Sequence, residues 1–292
     1  MLKLKKKERE GQDKILNANK PFLIAISVIF AIYSLTLVFP FIWLFVNSLK
    51  TKFEFIDNPM AFPTALVWKN YVTMFSEFNL ATMFLNTILM ATIIPTVQLF
   101  ITAGVAYVCA KFKSVIGKIC YLCAMVQIYV VISGTLPTTY KMMADLGLLD
   151  SLLGLVFMGS GGLNFSFLLL FAIFQNISSE YKEAAEIDGA GNWRIFLQIY
   201  FPQVFTVVLA HWLLAFIGQW NNYIAPKLFW PSAFTLATGI QDISNRIGSG
   251  VLAMEYPKLF AAMLITIVPV LLIFVCFQRP INKMNAGGGI KG

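Results

Sequence analysis

The sequence predicts an all-α membrane protein with six transmembrane helices. Composition and the spacing of charge lead there. Of the 292 residues, 58% are hydrophobic and only 12% are charged, where a soluble domain carries about 25% charged residues. Six intervals contain no Asp, Glu, Lys or Arg: residues 21–49, 78–110, 119–140, 151–179, 195–226 and 259–278. Each reaches the roughly 20 residues a helix needs to cross the hydrocarbon core. A charge at the centre of such a helix costs about 2.5–3.5 kcal/mol on insertion scales, so charge-free stretches of this length mark segments selected for lipid.

Residues 1–20 form a basic tail containing KLKKKER. Its simplest role is a topology signal lying on anionic lipid, and it requires no nucleic-acid partner. The first apolar interval is too long for the core of a signal peptide and lacks an Ala-x-Ala site, so it reads as a retained helix. Residues 50–77, with Pro59 and Pro63, form a long outer loop. The second and third intervals read as plain spans. The fourth is interrupted by Gly159, Ser160, Gly161 and Gly162, followed by Asn164. Lipid would leave the backbone of such a stretch poorly satisfied, so it must lie inside protein or beside water. The expectation is a broken helix, with residues 151–158 as a separate half-helix. After the fifth span, residues 227–258 contain Pro231 and line or cap the outer mouth; Pro269 can bend the sixth helix. The domain boundaries are a tail at 1–20, a six-helix domain at 21–278 and a Gly-rich tail at 279–292.

Orientation follows from the basic residues. With the N-terminus in the cytoplasm, the inside segments hold 15 of the 22 Lys and Arg, while the acidic residues divide evenly. That bias places both termini in the cytoplasm and accounts for the net charge of +8. The cysteines Cys109, Cys120, Cys123 and Cys276 then lie in or near cytoplasmic halves of helices, against extracellular disulfides. Cys120 and Cys123 form a C-x-x-C, but no His or second pair accompanies it, so helix packing accounts for it and no metal site is expected.

Residues 183–203 read EAAEIDGAGNWRIFLQIYFPQ, a polar stretch between two apolar runs. Ser179 can cap a helix whose first turns hold Glu180 and Glu183, where the macrodipole favours acids. Ala184 and Ala185 allow close approach of another surface. Gly189, Ala190 and Gly191 permit a sharp change of direction. Trp193, Phe196, Leu197 and Tyr200 repeat as one helical face, and Pro202 opens the next membrane helix. The result is a helix-turn-helix elbow over residues 180–202 on the cytoplasmic surface.

The order Glu183, Ala184, Ala185, Asp188, Gly189, Ala190, Phe196, Ile199, Pro202 resembles the EAA motif of permease subunits in binding-protein-dependent ABC importers. Phe201 stands where the familiar pattern has Leu, and Thr206 where a second proline is frequent. Six helices with the motif between the fourth and fifth is that family's arrangement. The C-terminal AGGGIKG and the WNNY at 220–223 are similar to the smaller permease of maltose-type sugar importers. The resemblance implies a type I importer permease whose elbow is a coupling helix lodged in an ATPase subunit. It implies a second homologous permease, two ATP-binding subunits, an extracytoplasmic sugar-binding protein and a bacterial cytoplasmic membrane. Gly287, Gly288 and Gly289 would reach towards the ATPase interface. ATP and magnesium would be held by the partner subunits and no cofactor by this chain. The absence of a G-x-x-x-x-G-K-[ST] sequence agrees: Gly117-Lys118 is followed by Ile119.

The fifth span carries His211, Ala215, Gly218, Gln219 and Asn222, which fall within about 100° of one another on an ideal helix. Such a stripe faces protein or water. It is either a translocation path, with Trp212 or Trp220 beside it, or helix–helix glue. Gln127, Ser133, Thr135 and Thr138 in the third span, Asn86 in the second and Asn164 in the fourth are further path candidates. The leading function is the membrane subunit of an ATP-driven oligosaccharide importer. An ion-coupled transporter acting alone would keep an intramembrane carboxylate or base, and here the spans offer only His211. A membrane enzyme would need a catalytic constellation, which one His does not supply. Maltodextrins, other neutral oligosaccharides and acidic glycans such as alginate fragments all remain compatible.

Overall fold

The computed structural model describes residues 20–112, 114–130, 134–250 and 255–287. The basic tail before residue 20, Ser133, Gly288 and Gly289 lie outside the described residues. The elements are α1 (Lys20–Ser48), α2 (Lys52–Asp57), α3 (Lys69–Ser76), α4 (Leu80–Lys111), α5 (Val115–Tyr129), α6 (Leu136–Asp145), α7 (Leu152–Gly159), α8 (Phe165–Asn176), α9 (Glu180–Ile187) and α10 (Asn192–Ile195). A π-helical turn (Phe196–Tyr200) leads into α11 (Phe201–Trp220), followed by α12 (Ile224–Phe229), α13 (Leu236–Gly248) and α14 (Tyr256–Gly287). No strand occurs among the described residues.

Four helical stretches are long and apolar enough to cross a bilayer: Phe22–Ser48, Leu80–Lys111, Asn192–Trp220 and Tyr256–Phe277. The third and fourth expected spans are not single helices. α5 ends after 15 residues at Tyr129, and Pro137 stands in the first turn of α6, where a proline starts a helix more readily than it continues one. The fourth interval breaks at the glycine-rich stretch, as its composition foretold. α7 is capped by Ser151, whose Oγ accepts the Gly154 N–H at 3.0 Å. α8 is capped by Asn164, whose Oδ1 accepts the Phe167 N–H at 3.2 Å. A Cβ at Gly159 would sit 2.6 Å from Ile94 Cγ2, so that glycine lets α7 close on α4. The last helix passes Pro269 and continues to Gly287, so residues 279–287 are helical.

The chain divides into two compact units. One holds residues up to Asn70 together with the start of α14 to Leu264. In it Trp43, Phe55, Tyr256 and Phe260 form an aromatic cluster, with the Trp43 and Phe260 centroids 5.4 Å apart. At the end of α1, Asn70 Nδ2 donates to the carbonyls of Ser48 and Lys50 at 2.8 and 2.9 Å, and the buried Lys50 ammonium donates to Asn58 O at 3.0 Å.

The other unit holds residues from Tyr71 onward and the rest of α14. Its centre is α4, which lies against α5, α7, α8, α11 and α13. Ala103 and Ala106 are wholly buried, and small residues of this kind let helices approach closely in lipid. Around them Leu99, Tyr107, Phe167, Phe174, Phe196, Tyr200 and Val204 form the main core. A smaller cluster joins Met90 and Ile94 of α4 to Met143, Leu155 and Phe229.

Candidate functional site

The elbow begins where α8 ends. Ile177 is extended; Ser179 stands at the N-cap position of α9, and the Oγ of Ser178 accepts the Glu180 N–H at 3.2 Å. Ser179 has helical backbone angles and makes no side-chain cap, so its hydroxyl is poorly aimed for the role; its carbonyl accepts the N–H groups of Lys182 and Glu183 at 2.9 and 3.1 Å. Glu180 and Glu183 stand in the first turn at the positive end of the helix dipole.

The C-terminus of α9 closes through a Schellman motif. Gly189 has φ +78°, the Gly189 N–H donates to Glu186 O at 3.1 Å, and the Ala190 N–H donates to Ala185 O at 2.9 Å. A glycine occupies the left-handed position without the clash that a Cβ brings. The motif residues then divide. Ala185 is buried in the main core, while Glu183, Ala184, Asp188 and Gly189 are exposed, and Ile187 at the tip is 86% exposed.

Past Gly191 the chain re-enters the bundle through α10 and the π-helical turn, in which the Phe201 N–H reaches back to Phe196 O. Pro202 accounts for that turn. It has no N–H for the Gln198 carbonyl, and its ring crowds that carbonyl; widening the turn relieves both. Arg194 Nε donates to Gln198 Oε1 at 2.9 Å, and Gln203 Nε2 donates to Ile199 O at 2.8 Å. Phe196 and Tyr200 are buried with Ile195 and Val204, while Trp193 and Leu197 are exposed; the Trp193 ring lies 5.6 Å from Phe196 and 6.1 Å from Phe100.

The root of the elbow is held by Tyr200 and by Lys111, Lys182 and Tyr107, which the sequence alone did not single out. The Lys111 ammonium, at the end of α4, donates to the carbonyl of Ile177 and lies 5.3 Å from the Tyr200 ring centroid. The Tyr200 hydroxyl donates to Ser178 O at 3.2 Å. In the reverse direction, Lys182 of α9 places its ammonium 4.2 Å from the Phe112 ring centroid, and it pairs with Glu186 at 3.5 Å. Tyr107 fills the space between, its ring 5.1 Å from Phe196 and 5.0 Å from Tyr200. A signal was available for Lys111: a lone base ending a long apolar helix can serve the orphan carbonyls of a neighbouring helix C-terminus. Which helix that is could not be read.

The path candidates are placed as follows. His211 Nδ1 lies 3.2 Å from Val207 O, and its ring stacks on Phe165, the residue after Asn164. Asn164 is the α8 cap already described. Gln219 and Asn222 meet, with Asn222 Nδ2 donating to Gln219 Oε1 at 3.3 Å. Asn222 lies beyond the end of α11, so the stripe is not carried by one helix; its Oδ1 accepts the Ala225 N–H at 3.1 Å. Trp220 is buried, 5.9 Å from the Phe84 ring. Trp212 Nε1 donates to Thr96 Oγ1 at 2.9 Å. Gln127 is exposed on α5. Asn86 Nδ2 donates to Phe234 O at 2.9 Å, and the neighbouring Thr87 Oγ1 accepts the Leu236 N–H at 2.8 Å. Among the described residues no three His, Cys, Asp or Glu side chains converge as metal ligands would.

No protein-family model matches the chain. Relatives are plain nonetheless. The diacetylchitobiose uptake system permease protein NgcG of Streptomyces coelicolor is 27% identical over 253 residues, 86% of this chain and 83% of that protein. The polygalacturonan/rhamnogalacturonan transport system permease protein YtcP of Bacillus subtilis is 26% identical over 290 residues, 94% and 99% of the two chains. The sulfoquinovosyl glycerol transport system permease protein SmoH of Agrobacterium fabrum is 28% identical over 262 residues, 87% and 89%. The fold matches the crystal structure of a bacterial ABC transporter involved in the import of the acidic polysaccharide alginate, with a TM-score of 0.73 and 24% identity over 90% of this chain and 97% of that one. In sequence along most of its length, this chain is a homologue of the permease subunits of sugar ABC transporters.

Proposed function

We propose that the chain is the membrane-spanning subunit of an ATP-driven carbohydrate importer, forming half of the translocation pathway and receiving work through the α9 elbow. The observation that carries this reading is the division within α9. Its root is locked to α4 and the π-helical turn, while Glu183, Ala184, Ile187 and Asp188 face outward. An apolar residue as exposed as Ile187, flanked by acids at the end of a polar helix, fits a protein groove better than lipid or water. In this reading Gly189 and Ala190 set the angle of the elbow, and Phe196 and Pro202 fix its return into the membrane.

Six crossings are part of the proposal. α5 lies in one, and α8 with the half-helix α7 forms another. A helix broken in this way is tolerated beside a cavity, and His211 and Asn164 stand at that break. The basic bias puts both termini in the cytoplasm of a bacterial cell. The partners are a second permease, two ATP-binding subunits that hold ATP and magnesium, and an extracytoplasmic sugar-binding protein. Two of the relatives carry glycan names, diacetylchitobiose and polygalacturonan/rhamnogalacturonan, and a third is named for a sugar glycoside, which supports an oligosaccharide as the substrate class.

The test is co-purification and transport. The full chain, expressed with its partner genes, is expected to bring down an ATP-binding subunit and to support ATP-dependent uptake in vesicles. Glu183→Ala is expected to lower uptake and stimulated ATP hydrolysis while leaving membrane insertion unchanged. Sugar accumulation by this chain alone, driven by an ion gradient, would overturn the proposal.

A further inference from the structure

The outer end of α4 is bonded as firmly as its inner end. Asn86 and Thr87 hold the backbone of Phe234 and Leu236, at the entry of α13. That entry is stiffened by a reciprocal cap: the Thr235 N–H donates to Thr238 Oγ1 at 2.7 Å and the Thr238 N–H donates to Thr235 Oγ1 at 3.3 Å. From Thr87, α4 runs as one helix to Lys111, about 36 Å at the rise of an α-helix, with the buried Pro95 inside it. At Lys111 and Phe112 it meets the elbow through two lysines reaching in opposite directions, Lys111 to the Ile177 carbonyl and Lys182 to the Phe112 ring. A single continuous helix is thus tied to the segment before α13 at one end and to the α9 elbow at the other.

We propose that α4 is a strut that carries displacement between the α9 elbow and the 234–238 segment, with Lys111 and Asn86 as the positioning residues that fasten its two ends. The inference rests on the importer reading, in which these ends face the ATPase and the outer surface. A packed helix with discrete attachments moves as a body, and coupling of this kind needs an element whose position both sites bias. Lys111 suits the task because its bond is made to a helix C-terminal carbonyl, is charge-assisted, and is covered by the Tyr200 ring. Asn86 suits it because its partner is backbone, so the segment cannot shift without the helix.

The experiment is amide hydrogen exchange on the assembled transporter in lipid, with and without magnesium and a non-hydrolysable ATP analogue. In the wild type the nucleotide is expected to change exchange in α9 and, by about threefold or more, at residues 234–238. Lys111→Met keeps the length of the stem and removes the ammonium. It is expected to abolish the response at 234–238, leave the response in α9, and leave exchange without nucleotide near wild type. Lys111→Arg is expected to restore the distant response. Asn86→Leu combined with Thr87→Val cuts the other end, removing both side-chain bonds to the 234–236 backbone; it is expected to give the same loss, and its combination with Lys111→Met no more than either alone, since both break one path. An undiminished distant response in Lys111→Met and in the Asn86→Leu, Thr87→Val pair overturns the strut, as does a wild-type complex that responds in α9 but not at 234–238. A complex that lacks ATP-binding subunits, or shows no response in α9, overturns the importer reading instead.

Discussion

The N–H of Ala190 donates to the carbonyl of Ala185 at 2.9 Å and turns the chain back on itself over Gly189. Ala185 is buried in the core while the residues on either side of it face outward, so this bond sets the direction in which α9 projects. An L-residue in the left-handed conformation costs about 1–2 kcal/mol. Gly189→Ala is therefore expected to destabilise the elbow by about 1 kcal/mol and lower ATP-driven uptake, with Gly189→Asn milder because Asn accepts that conformation. Thermal unfolding of the purified complex and vesicle uptake check both; equal behaviour of the Ala variant and the wild type would refute the geometric role.

Tyr107 and Tyr200 lie in the same core with ring centroids 5.0 Å apart and planes tilted by 50°, but they differ in their hydroxyls. That of Tyr200 reaches Ser178 O, whereas that of Tyr107 is buried with no partner among the described residues. An unpaired buried hydroxyl costs about 1–3 kcal/mol. Tyr107→Phe is expected to keep or raise the thermal stability of the complex. Tyr200→Phe is expected to lower it by about 1 kcal/mol, since the Ser178 carbonyl loses its donor. Differential scanning of the two variants, side by side, decides this.

Gln219 is the cleanest test of the polar stripe, because Asn222 also holds the backbone of Ala225 and its loss would disturb α12. Gln219→Leu is expected to reduce uptake severalfold at unchanged yield of the assembled complex. A pure packing role would show instead as reduced yield or melting temperature with uptake per complex unchanged.

Asp150 links the turn before α7 to the segment after α12. Its carboxylate accepts the Ser232 N–H at 2.9 Å, and hydrogen bonds from Ser232 hold it below the usual aspartate range. With the folded value depressed, the contribution is complete above the unfolded value of about 3.9 and is lost as pH falls through the folded value. Amide exchange at Ser232 is expected to lose protection over that acidic window, and Asp150→Asn is expected to flatten the dependence. Protection that does not change with pH would count against the bond.

Much of this was written locally. The GSGG break and the two caps around it, Ser151 and Asn164, involve groups a few residues apart, and so does the glycine that ends α9. Ser179 holds the α9 N-cap position that its sequence suggests, but the side-chain bond to the Glu180 N–H comes from Ser178, a residue of the same chemistry one place earlier. The π turn upstream of Pro202 was not legible in the aromatic stripe at 193–200, because the periodicity of the residue types does not report the periodicity of the backbone.

The amino-acid order alone determined that the chain is helical and apolar, where its breaks fall, and that a polar elbow interrupts it between residues 179 and 203. Those features follow from charge placement, glycine and proline, which act over one or two turns. Folding in three dimensions decided which carbonyl Lys111 serves, 66 residues away, and which backbone Asn86 grips, 148 residues away. Those choices depend on how helices rotate and approach, and that is set by the shapes of Ala103, Ala106 and the rings around them acting together.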